Sequence, residues 1–168
     1  MLRHWTFTAD DPQNVANVLA EIFDGEVVEP PRPPWGPDTL WVCMFDEVGT
    51  MLEIAPTGSA WVPSDVAPAV ETRLDEPIPR YSFNHTFWDC AVSFERLREI
   101  CEEQGWRTYF QDGIRMKFQA VWVENRTFLE LCPKDMIHLY EGVYGTAGRD
   151  SIKEYVNLRF GTPPASAT

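Results

Sequence analysis

A duplicated segment constrains the fold of this chain more than any other property of its sequence. Residues 47–56 (EVGTMLEIAP) align without a gap on residues 124–133 (ENRTFLELCP). Glu47, Thr50, Leu52, Glu53 and Pro56 recur as Glu124, Thr127, Leu129, Glu130 and Pro133, and Ile54 is answered by Leu131. Upstream, His4 precedes Gly25 and His85 precedes Gly105 at spacings that differ by a single position. Such a repeat is one supersecondary unit occurring twice, with small length changes in its loops.

The element order within each copy follows from periodicity. Residues 4–8 alternate as a strand. Asp10-Asp11-Pro12 then carries a helix-start signal, an acidic cap followed by Pro in the first turn. Val15, Val18, Leu19, Ile22 and Phe23 follow at helical spacing, and Gly25 is expected to cap the helix. Strands are expected at 26–28, 39–46 and 51–55. Between the first two, residues 29–38 hold Pro30, Pro31, Pro33, Pro34 and Pro37, which exclude a helix or a central strand. The second copy repeats the order. It has a strand at 82–90 and a helix with Phe94, Leu97, Ile100 and Cys101 on one face, closed by Gly105. Strands at 106–110, 114–123 and 127–132 follow.

The expected organisation is a βαβββ module over residues 1–56, a Pro-rich linker over 57–80, a second βαβββ module over 81–133 and an extension over 134–168. Short helices are expected at 134–144 and 151–159, with a frayed tail beyond. The fold class is α+β, and 168 residues suit two small modules sharing one core.

Composition narrows the partners. Lys and Arg number 14 against 26 Asp and Glu, a net charge of −12. Residues 1–80 hold 4 basic and 14 acidic residues, a net of −10, and residues 81–168 hold 10 and 12, a net of −2. This argues against nucleic acid and anionic membrane surfaces. No apolar run is long enough to span a bilayer, and no apolar leader follows Met1, so a cytoplasmic protein is expected. Cys43, Cys90, Cys101 and Cys132 form no CxxC pair, which fits buried free thiols in a reducing compartment.

Two of the three histidines, His4 and His85, fall at matching positions of the two modules, while His138 lies beyond the repeat. Each module also places a glutamate, Glu53 or Glu130, in its last strand between apolar neighbours. Alternation sends Leu52 and Ile54 to one face and Glu53 to the other, and likewise Leu129 and Leu131 against Glu130. A carboxylate in mid-strand is costly unless solvated, paired or bound to a cation. Two imidazoles and two carboxylates are suitable donors for one divalent ion, Ni, Zn, Co, Mn or Fe. Phe87 shares a strand face with His85, and Phe128 shares one with Glu130, as candidate walls of a substrate pocket. Arg115 and Lys117 are candidate anion contacts.

The pattern resembles the vicinal oxygen chelate superfamily, the glyoxalase/bleomycin resistance protein/dioxygenase group. The resemblance covers residues 1–133. It implies two βαβββ modules forming a cup-shaped mixed sheet around a metal, with helices on the outer face. It implies ligands from the first and last strands of each module: His4, Glu53, His85 and Glu130. That set matches the glyoxalase I-type members. Ring-cleaving Fe(II) dioxygenases of the group use three ligands, and members that only bind drugs usually lack them. The implied function is a metal-dependent isomerase or lyase acting on a small substrate with adjacent oxygens, by enediolate-type chemistry. Glu53 or Glu130 would be the base. The alternatives are a ligand-sequestering protein of the same fold and, less favoured by Glu53, an Fe(II) dioxygenase. Members commonly dimerise, and some place the metal between modules of different chains, so a homodimer is expected.

Overall fold

The computed structural model describes residues 4–30, 35–47, 49–63, 70–74, 77, 84–113 and 117–145. The first module runs β1 (His4–Ala9), α1 (Pro12–Phe23), β2 (Glu26–Val28), β3 (Leu40–Cys43) and β4 (Met51–Pro56). The second runs β7 (His85–Cys90), α2 (Phe94–Gln104), β8 (Arg107–Asp112), β9 (Lys117–Val123) and β10 (Thr127–Pro133). Between them, β5 (Ala60–Pro63) and β6 (Val70–Arg73) pair antiparallel. A 3-10 turn (Lys134–Met136) leads into α3 (Ile137–Tyr144).

The two modules build equivalent four-stranded sheets, ordered β1-β4-β3-β2 and β7-β10-β9-β8. In each, the first strand runs parallel to the last, and the remaining neighbours are antiparallel. This is the α+β architecture expected from the repeat.

Local chemistry explains the elements. Asp11 caps α1 by accepting from the Asn14 backbone N–H at 3.0 Å, with Pro12 in the first turn. Ser93 caps α2 in the same way through the Arg96 N–H. Gly105 ends α2 in the left-handed conformation, φ 66°. At the end of α1, however, Asp24 takes that role, with φ 55°. Aspartate tolerates this conformation better than most residues. Gly25 serves a different need: a Cβ there would lie 3.0 Å from the Cys43 carbonyl oxygen, so it lets β3 pass close.

The segment 57–80 also differs from a plain linker. Its β5–β6 hairpin folds back towards the first sheet, and a Cβ on Gly36 would meet Thr72 Cγ2 at 3.1 Å. The expected helix at 151–159 lies outside the described residues. No helix among those described is long and apolar enough to cross a membrane.

One apolar core runs through both modules. Val15, Leu19 and Ile22 of α1 share it with Leu52 and Ile54 of β4, Leu97 and Ile100 of α2, and Leu129 and Leu131 of β10. Phe23 meets Trp88 of β7 edge-on at 5.8 Å, and the Ala91 N–H donates to the Ile22 carbonyl. Polar ties follow the same seam. Glu124, in the turn before β10, accepts the backbone N–H groups of Asp10 and Asp11 at 2.5 and 2.7 Å. Arg126 donates to Asp10 at 2.5 Å, and Arg96 donates to Glu21 at 2.8 Å. Both helices lie on the core side, leaving the opposite face of each sheet for chemistry.

Candidate functional site

Strand register places the candidate ligands. In the parallel β1–β4 pair, His4 stands opposite Met51 and Thr6 opposite Glu53. In β7–β10, His85 stands opposite Phe128 and Phe87 opposite Glu130. Residues opposite each other or two apart share a face, so His4 and Glu53 lie on the open face of the first sheet. His85 and Glu130 lie on the open face of the second. The partners Leu52, Ile54, Leu129 and Leu131 point into the core. The alternation argument therefore holds at both glutamates.

The two pairs differ in environment. Burial pushes the Glu130 carboxyl above its ordinary range, and the charge of His85 beside it pulls part of the way back. The His85 ring packs on Phe128 at 5.6 Å, and Phe128 packs on Trp122 at 4.9 Å. An imidazole beside a half-buried carboxylate, backed by aromatic rings, is a donor pair that fits a borderline divalent ion.

Glu53 is only 4% exposed. Its Oε2 accepts from the Thr6 hydroxyl at 2.5 Å and its Oε1 accepts from the Trp35 indole N–H at 2.9 Å. It faces a cavity of about 310 Å³ whose walls include Trp35, Ser59, Trp61 and Thr72. The proline-rich loop contributes Trp35 and the hairpin contributes Trp61 and Thr72. Sequence reasoning missed these residues. The one signal for Thr6 was its place two residues after His4, on the same strand face.

The other candidates are placed as follows. Phe87 is roofed by α3, stacking on Tyr140 at 4.2 Å with an interplanar angle of 18°, and it meets Phe118 at 6.1 Å. Lys117 is paired with Asp112 at 2.8 Å, so its charge is already answered. Arg115 lies outside the described residues. His138 is exposed, its Nδ1 2.9 Å from the Asp135 carbonyl oxygen. Within one chain, and among the described residues, no three His, Cys, Asp or Glu side chains gather closely enough to hold an ion.

No family model matches the chain, and no curated protein matches it in sequence. Solved structures do match. The fosfomycin resistance protein FosX from Mesorhizobium loti is 14% identical with a TM-score of 0.50, over 78% of this chain and 88% of that one. A mutant of FosX from Listeria monocytogenes, complexed with Mn(II) and 1S,2S-dihydroxypropylphosphonic acid, is 13% identical with a TM-score of 0.52, over 83% and 97%. The same Listeria protein with Mn(II) and sulfate gives 11% identity and a TM-score of 0.51, over 83% and 96%. At such identities the likeness is one of fold. The chain shares the fold of these fosfomycin resistance proteins.

Proposed function

We propose that this protein is a divalent-metal-dependent enzyme acting on a small substrate with adjacent oxygens, as an isomerase or lyase of glyoxalase type. The observation that carries the reading is the juxtaposition of His85 and Glu130 on one open sheet face. Its counterpart in the first module is His4, exposed on the equivalent face. His4, His85 and Glu130 would hold the ion. Mn(II) in the Listeria FosX structures supports a borderline or hard divalent metal. The bound ion would supply Lewis-acid polarisation of a substrate oxygen.

Among the described residues of one chain these side chains form no cluster, and the reading includes a homodimer. In it the first module of one copy meets the second module of the other. Glu53 has both oxygens engaged by Thr6 and Trp35. We therefore keep it off the metal.

Metal analysis of the purified and reconstituted protein tests the assignment. Wild type and Glu53→Gln are expected to hold about one divalent ion per site, and a His85→Ala/Glu130→Ala double variant is expected to lose it. A wild type with no stoichiometric ion after incubation with Mn, Fe, Co, Ni and Zn in turn would overturn it. For the reaction, the loaded enzyme is expected to incorporate solvent deuterium beside the carbonyl of a hydroxy-carbonyl substrate. No incorporation across a panel of such compounds would remove the isomerase reading.

A further inference from the structure

We propose that the Glu53 cavity binds a small organic cation, a quaternary ammonium or protonated amine. Four observations of the first module converge on it, and none depends on the metal.

The first is a charge with no cationic partner among the described residues. Glu53 is buried, and both donors to it are neutral, a hydroxyl and an indole N–H. Among the described residues no Lys, Arg or His stands within ion-pair distance of it. A buried carboxylate without a counter-charge is costly, and a cationic ligand would supply one. The second is the aromatic wall. The Trp35 and Trp61 rings lie 6.2 Å apart and tilt at 54°, making a corner. Trp41 braces Trp35 edge-on at 4.9 Å. Indole faces attract ammonium groups more strongly than other side-chain rings do.

The third is size and polarity. About 310 Å³ accommodates a trimethylammonium head with a short polar arm. On the cavity wall, the Ser59 hydroxyl is buried with no hydrogen-bond partner, and it would take a ligand hydroxyl. The fourth is composition. Residues 1–80 carry a net charge of −10, a balance that favours cationic over anionic ligands in this half of the chain.

The test uses the full-length chain stripped of metal with EDTA, so that its outcome is separate from that of the metal assignment. Choline is titrated against its neutral isostere 3,3-dimethyl-1-butanol, with calorimetry and tryptophan fluorescence as readouts. Choline is expected to bind about tenfold or more tightly than the isostere. Glu53→Gln is expected to remove that preference. Trp61 is half exposed and outside the core, so Trp61→Leu provides a variant that leaves the fold intact. It is expected to weaken choline by about fivefold or more. Equal affinity for the isostere would overturn the proposal. So would failure of choline, tetramethylammonium and propylammonium all to bind, or choline affinity unchanged in both variants.

Discussion

Trp35 donates its indole N–H to Glu53 across 2.9 Å, fastening a proline-rich loop to the open face of the first sheet. Trp35→Phe keeps an aromatic ring and removes that donor. A hydrogen bond to a charged acceptor is worth about 1.5–3 kcal/mol. The variant is expected to lose that much stability, read as a lower urea midpoint at unchanged slope.

Glu130 sets a pH dependence in the metal-free protein. Its folded pKa is raised, chiefly by burial and partly offset by His85. The protonated carboxyl therefore favours folding. That contribution is complete below the ordinary carboxyl value and is lost as pH rises through the folded value. Glu130→Gln stays neutral throughout. It is expected to gain on wild type as pH rises above the ordinary carboxyl value of about 4, measured as the difference in urea midpoints across the titration.

Glu124 acts as a remote cap for α1, accepting two backbone N–H groups at the helix entry. Glu124→Ala leaves those donors to water and removes a negative charge from the positive end of the helix. The expected cost is about 1–2 kcal/mol, visible as a lower melting temperature.

Burial governs the thiols. It pushes Cys90 up to about 12 and Cys132 to about 11, with smaller upward shifts at Cys101 and Cys43. Cys90, Cys101 and Cys132 are buried, and Cys43 is half-buried. A native protein treated with a disulfide reagent at about pH 8 is expected to react slowly and first at Cys43. After unfolding, all four should titrate.

Tyr140 covers Phe87 and in turn meets Tyr144 at 4.8 Å with the rings tilted at 43°. Tyr140→Ala is expected to uncover the open face of the second sheet. The readouts are increased binding of a hydrophobic dye and a loss of about 1–2 kcal/mol.

Much of this was legible in the residues themselves. Alternation around Leu52 and Ile54, and around Leu129 and Leu131, put Glu53 and Glu130 on the open faces because a strand has no other way to bury its apolar partners. Helical spacing and caps placed α1 and α2. The order of elements along the chain followed from the repeat, and their order in space came from the structure. What stayed hidden depended on long-range contact. Nothing periodic in residues 29–38 says that Trp35 reaches Glu53. The β5–β6 hairpin is short and bounded by prolines, so its strands carry too few alternations to register. The α1 cap fell to Asp24 because Gly25 was needed where Cys43 passes. Phe87 was placed on the correct face, but only the packing of α3 shows that the face is roofed there.

The carboxylate of Glu124 has one further consequence. It belongs to the second copy of the duplicated segment, yet the helix whose entry it secures belongs to the first. Arg126 and the Ala91 N–H cross the same seam. Repetition alone would leave two separable halves, each melting at its own temperature. Here each half completes the other, so the molecule should unfold in a single transition. An isolated half would be left with open helix donors and an uncovered apolar flank.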